Sequence, residues 1–280
     1  MSSPCRVALV APASDDRKAR KALASDADVV VLDLEDAVLP ADKDSAREAA
    51  AALIREFGGD RPVSVRINAL GTAWADDDLA TCAALDTLQS IVLPKAETPA
   101  QIVAVDRALG DSAATISALI ETAIGVRDVD TIAAAAPRLE SLIIGYADLA
   151  ADLGRSATIS RSAWEPIQDR VLIAARAAGL TVTDGPHLTI ADDDDYRTTK
   201  IRVRDLGFDG TWVIHPQQIA SALAIFTPDD DAIRDAERVL EALEQAADTG
   251  AGAASLDGRM LDEALAVAAR RTLRKAGKDV

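Results

Sequence analysis

Apolar and polar residues fall along this chain in blocks of two kinds. Short runs rich in Val, Ile and Leu recur, and each is followed by a longer stretch with apolar residues three and four apart. The first kind predicts strands buried on both faces, and the second predicts amphipathic helices. Strands are expected at Val7–Ala11, Asp28–Leu34, Val63–Ile67, Ser90–Leu93, Thr115–Ile120, Ser141–Ile144, Leu180–Thr183 and Thr211–Ile214. Helices are expected at Asp16–Ala24, Ala41–Phe57, Asp76–Ala84, Pro99–Leu109, Val126–Ala135, Trp164–Ala178, Asp192–Leu206 and Pro216–Ile225, with Leu149–Ser162 irregular. Punctuation supports these limits: Gly58–Gly59 closes one helix and Pro99 opens another.

Strict alternation of buried strands with helices implies a parallel sheet covered by helices. Eight units in about 225 residues predict a closed (β/α)8 TIM barrel over residues 1–226. A doubly wound open sheet is the alternative. No glycine-rich phosphate fingerprint follows the first strand, which weighs against a dinucleotide-binding version of it. After the barrel come an amphipathic helix at Pro228–Ala247, a Gly/Ala-rich stretch at Asp248–Gly258 and a last helix at Met260–Ala276. A barrel closes without residues 227–280. This helical extension is therefore expected to be a lid, or an arm reaching a neighbouring subunit.

Composition narrows the class. About half of the 280 residues are hydrophobic, yet only 3% are aromatic, which suits Ala-rich helices on aliphatic strands. The net charge of −16 argues against nucleic acid as a partner, because phosphate binding needs a basic surface. Cys5 and Cys82 form neither a disulfide framework nor a zinc spacing, and are expected to be inert thiols in a reducing cytoplasm. Met1–Arg6 lacks the pattern of a signal peptide, and no apolar run approaches a membrane span.

In a barrel of this kind the chemistry lies at the carboxyl ends of the strands. Ionisable residues adjoin seven of the eight expected ends: Asp33, Glu35 and Asp36; Arg66; Lys95 and Glu97; Glu121; Asp148; Asp184 and His187; and His215. The strands themselves are nearly free of charge. Glu121 and Asp148, on successive strand ends, are candidate ligands for one divalent metal. Two carboxylates that leave positions open suit Mg²⁺, which keeps waters and takes substrate oxygens. The competing reading is that each carboxylate caps the helix after it, although Glu is a poor N-cap. Arg66 can clamp a carboxylate, or pair with Asp33, Glu35 or Asp36, or do both. Arg17, Lys18, Arg20 and Lys21 either receive phosphates or form an ordinary solvated helix face.

An ordered set of motifs then resembles a family. Val29–Val38, with Lys43 and Ala46–Arg47, is similar to the signature of the citrate lyase β-subunit-like proteins of the HpcH/HpaI aldolase/citrate lyase family. Val65–Asn68, Leu93–Glu97, Ile120–Thr122, Gly145–Leu149, Gly207–Gly210 and Ile214–Gln218 resemble its later blocks, and Leu256–Asp262 its C-terminal motif. Ala13 and Ala37 stand where the family often has Gly, and Gly252–Ala254 lacks a frequent aromatic residue.

The resemblance implies a barrel that is trimeric or built from trimers. It implies a lyase that cleaves or forms a carbon–carbon bond in thioesters such as malyl-CoA, citramalyl-CoA or a citryl carrier protein. Synthase or thioesterase variants of that chemistry, and a subunit of a larger citrate lyase, are the alternatives. By position, Glu121 and Asp148 match the Mg²⁺ ligands. Arg66 matches the arginine holding the carboxylate or oxo group. Asp33, Glu35, Lys95, Ala147 and His215 fall on the substrate side. Asp262 matches an acid/base aspartate that closes over a neighbouring subunit's site.

Overall fold

The computed structural model describes residues 5–156, 159–248 and 254–278. Eight parallel strands close into a barrel: β1 (Val7–Pro12), β2 (Val29–Asp33), β3 (Val63–Arg66), β4 (Ser90–Leu93), β5 (Thr115–Ile120), β6 (Leu139–Ile144), β7 (Thr181–Asp184) and β8 (Gly210–Val213). Closure is made by β8 against β1, with Thr211 opposite Val7 and Trp212 opposite Ala8. The open-sheet alternative is thereby excluded.

The strands look uniformly apolar because both faces are buried. Side chains alternate across each strand. One set, including Leu9, Val30, Leu32, Val65, Ile91, Ile120 and Ile144, packs in the main core beneath the helices. The other set, Ala8, Val31, Val92, Leu119, Ile143 and Trp212, forms a separate small core that fills the barrel. Polar pairs accompany it, with Ser64 Oγ 2.8 Å from Ser90 Oγ and Ser141 Oγ 3.5 Å from Thr183 Oγ1.

The departures from expectation are local. The expected helix Val126–Ala135 is two short helices, Ala123–Arg127 and Val129–Ala133, broken at Asp128. The segment expected to be irregular opens with a helix at Tyr146–Asp152, whose N-cap is Gly145. Ala13 and Ala37 need no glycine, since Lys95 and Asp257 are the non-glycine residues with positive φ among those described. Gly252 and Ala253 lie outside the described residues.

The last helix starts later than expected. Met260 belongs to an antiparallel hairpin, β9 (Ala254–Leu256) and β10 (Arg259–Leu261), turned by Asp257 and Gly258 at φ +51° and +76°. Asp-Gly with both residues at positive φ is the preferred two-residue hairpin turn. The final helix is Glu263–Lys275. It packs with the helix Asp230–Asp248 and the hairpin around Ala236, Val239, Leu261, Ala269 and Leu273, a core separate from that of the barrel. Lys275 ties this extension to the amino-terminal side of β8: its Nζ donates to Phe208 O at 2.8 Å and lies 3.5 Å from Asp209 Oδ1.

Candidate active site

The register of β2 on β3 places Asp33 opposite Arg66 at the carboxyl ends of the two strands. Arg66 Nε and Nη2 donate to the two Asp33 oxygens, both at 2.7 Å. The backbone amides of Glu35 and Ala37 donate to the same oxygens at 2.9 and 3.0 Å. Burial works to raise the Asp33 carboxyl, but the bonds and charge of Arg66 and the two amides outweigh it and hold the group below its ordinary range. Asp33 is fully buried and each of its oxygens accepts two bonds, one from Arg66 and one from a backbone amide, so that it orients Arg66. The Nη1 corner of Arg66 faces Glu35 at 3.1 Å and Asp36 at 3.3 Å. The charge network that sequence reasoning offered for this arginine is therefore present.

Two buried groups fix the neighbouring loops. Lys43 Nζ donates to Leu34 O at 2.7 Å and to Glu35 O at 2.6 Å. Asp78 accepts from Asn68 N at 2.9 Å, from Asn68 Nδ2 at 2.7 Å and from Arg47 Nε at 2.8 Å. Lys43 carries one loop of the site and Asp78 the next, and neither role shows as a strand-end position in the sequence.

Lys95 follows β4 with φ +49°, a conformation that costs a non-glycine residue energy. That backbone aims its N–H at Glu121 Oε1, 2.9 Å away. Its ammonium pairs with Glu35 and lies 3.4 Å from Asp148 Oδ2 and 4.0 Å from Glu121 Oε1. Burial disfavours the Lys95 charge, yet the three carboxylates prevail and raise its pKa.

Glu121 is 2% exposed at the end of β5. Burial first, then the charges of Asp148 and Glu35, push its carboxyl up to about 8 against the pull of Lys95. It does not cap the next helix, because Thr122 does so by accepting from Gly125 N at 3.0 Å. Gly145, at the end of β6, presses on it: a Cβ there would stand 2.4 Å from Glu121 Oε2. Asp148 is in the first turn of the helix that Gly145 opens, with Ala147 exposed beside it.

Glu121 and Asp148 thus share the approach of one cation, since a single ammonium lies within 4.0 Å of both. Burial and the charges of Asp148 and Glu35 disfavour ionisation of Glu121, a cation between it and the half-exposed Asp148 would favour it, and both groups offer only oxygen donors. That donor set fits a hard divalent ion completing its shell with water and substrate oxygens. Among the described residues there is no cluster of three or more His, Cys, Asp or Glu that would form a closed protein cage.

Other expected residues stand apart. His215 caps the short turn Pro216–Gln218, its Nδ1 accepting from Gln217 N at 3.3 Å, and makes no hydrogen bond to the carboxylate cluster among the described residues. His187 is buried at the rim, 2.5 Å from Arg161 Nη2, with Thr189 Oγ1 2.9 Å from its Nδ1. Asp184 faces away from the mouth, toward the helices. Thr183 pairs with inward-facing Ser141, so the next side chain turns outward, where it meets Lys200 of the helix Asp194–Leu206. Asp262 is exposed at the N-cap of the last helix, accepting from Ala264 N and Leu265 N, and touches no member of the cluster within its own chain. On the helix Asp16–Leu23, all four cations are exposed; Arg20 is paired with Asp16 and Glu56 and Lys18 with Asp15, and Arg17 and Lys21 make no ion pair among the described residues.

Relatives share this architecture. The family model described as HpcH/HpaI aldolase/citrate lyase matches residues 6–216. An L-malyl-CoA/β-methylmalyl-CoA lyase of Cereibacter sphaeroides is 36% identical over 98% of this chain and 95% of its own length. A (3S)-malyl-CoA thioesterase of the same species is 36% identical with the same coverage. Among solved structures, the CitE protein of Mycobacterium tuberculosis, in complex with magnesium, acetoacetate and coenzyme A, matches with a TM-score of 0.78. It is 33% identical and covers 98% of this chain and 99% of that one. In sequence and in fold, the chain belongs to the HpcH/HpaI aldolase/citrate lyase family.

Proposed function

We propose that this protein is a Mg²⁺-dependent carbon–carbon lyase acting on a 3-hydroxyacyl-CoA such as malyl-CoA or citramalyl-CoA. The observation that carries the reading is the pairing of Glu121 and Asp148 about one cation position, with Arg66 oriented at the same end of the barrel. A similar protein crystallised with magnesium, acetoacetate and coenzyme A supports it. Glu121 and Asp148 would hold the ion, which when bound supplies a Lewis acid for the α-oxo-acid end of the substrate.

The chain's own groups do the rest. Asp33 takes the Nε and Nη2 edge of Arg66, and the Nη1 corner, which faces Glu35 and Asp36, is the part that would turn to the substrate carboxylate. Glu35 and Lys95 form a charge pair at the wall of the site. In the cleavage direction a base takes the proton of the 3-hydroxyl. The bond between the hydroxyl-bearing carbon and the carbon α to the thioester breaks, and its electron pair stays on the thioester fragment as an enolate. That carbon then takes a proton, giving an acetyl thioester and an α-oxo acid. Asp262 of a neighbouring copy is the residue that exchanges this proton, since in its own chain it points to solvent. This assigns the extension a catalytic part and makes the working unit a trimer or hexamer.

A second reading rests on the thioesterase relative, which is as similar as the lyase. Hydrolysis of malyl-CoA yields malate and free CoA, whereas cleavage yields glyoxylate and acetyl-CoA. A carrier-protein thioester as substrate predicts that the isolated chain ignores free CoA esters. Products identified by mass spectrometry from malyl-CoA, with and without Mg²⁺, separate these readings.

A further inference from the structure

Between β7 and the helices lies a polar network that the proposed chemistry does not use. Asp184 and Lys200 are each 1% exposed and paired with one another. Lys200 Nζ also donates to Gly185 O at 2.9 Å. The Tyr146 hydroxyl donates to Asp184 Oδ1 at 2.6 Å and accepts from Gln168 Nε2 at 2.7 Å. The end of β7 and the helix Glu165–Ala177 therefore meet on the phenol at the first residue of the helix Tyr146–Asp152, and the helix Asp194–Leu206 joins them through Lys200 on Asp184.

That first residue is well placed to matter. Tyr146 follows Gly145, which is pressed against Glu121, and precedes Asp148 by two residues. The same turn thus touches one carboxylate and carries the other. The ring is held as well as the hydroxyl. Trp164 meets it edge-on at 5.1 Å, and a Cβ on Gly185 would stand 2.9 Å from its Cδ2. A short helix of seven residues opened by glycine, with no side-chain cap, has little intrinsic hold on its own first turn.

We propose that Tyr146, anchored by Asp184, Lys200 and Gln168, is a positioning residue that fixes the distance between Glu121 and Asp148 and so sets the affinity of the site for its divalent cation. This rests on the metal reading of that pair. Outer partners that orient metal ligands are commonly worth ten- to a hundredfold in affinity. In a tether of this kind the phenol is essential and the ring alone does not suffice.

The test uses the full-length protein and Mn²⁺ alone, followed by electron paramagnetic resonance. Tyr146→Phe keeps the ring and removes the hydroxyl. Its expected Kd for Mn²⁺ is about tenfold weaker than wild type, with an unchanged circular dichroism spectrum. A Kd within twofold of wild type overturns the proposal. If Tyr146→Phe loses its native spectrum, Gln168→Met carries the test: threefold or greater weakening supports the tether, and smaller change overturns it. Glu121→Gln is the control for the underlying reading. If wild type fails to bind Mn²⁺, or Glu121→Gln binds it equally well, the metal reading falls and the tether falls with it, an outcome distinct from failure of Tyr146→Phe alone.

Discussion

At the scale of single residues, the site was legible wherever a charged side chain ended a buried strand. Arg66, Glu121 and Asp148 stand out because the residues before them are apolar and because helices follow. The pairing of Asp33 with Arg66 was among the readings the sequence offered, whereas the roles of Lys43 and Asp78 were not legible, since they are made by partners brought together only in the folded chain. His187 shows the same limit. Its sequence neighbours Gly185 and Pro186 suggest a turn, while Arg161 and Lys200, which act on its charge, come from distant segments. Burial, then the Arg161 and Lys200 charges, hold His187 below its ordinary value. A histidine lowered in the fold binds its proton more readily in the unfolded chain. Its contribution is therefore complete above the unfolded value near 6.5 and is lost as pH falls through it toward the lower folded value. Thermal unfolding between pH 7.5 and about 5 should show wild type losing stability more steeply than His187→Gln. Parallel slopes for the two proteins would remove His187 from the account.

At the scale of elements, periodicity placed the eight strands correctly to within about two residues, because burial on both faces leaves an unmistakable apolar run. It missed where the helical signal was short or mixed. The helix Tyr146–Asp152 has one buried residue, Leu149, and so shows no stripe. The hairpin at Ala254–Leu261 was hidden because Met260 and Leu261 fit the spacing of the following helix, although Asp257–Gly258 is itself a turn signal. Asp184 was counted among the mouth residues because the expected strand ended one residue early; the extra residue reverses its face. Its pairing with Lys200 belongs to the contact between β7 and the helix Asp194–Leu206. Removing one partner of a buried ion pair leaves an uncompensated charge, at a cost of about 3–5 kcal/mol. Lys200→Met should lose that much in urea unfolding at neutral pH. A loss below about 1 kcal/mol would show that the pair is not structurally important.

At the scale of the whole molecule, the barrel was legible from the count and spacing of its units, whereas the separate core of the extension was not. Charge helped only by weighing against one class of partner: −16 argues against nucleic acid and says nothing about topology. Asp262 lies outside the carboxylate cluster of its own chain, so a neighbouring copy must supply it if it acts there. Co-expression of Glu121→Gln with Asp262→Asn then gives some sites with both groups intact. Random mixing should restore about a quarter of wild-type turnover, although each variant alone is inactive. No recovery would place Asp262 outside the neighbour's site. The most direct test of the central claim is product stoichiometry from malyl-CoA with Mg²⁺ present or chelated. The account predicts one glyoxylate for each acetyl-CoA, lost on chelation and in Glu121→Gln. Malate and free CoA without glyoxylate, or glyoxylate release that survives both treatments, would contradict it.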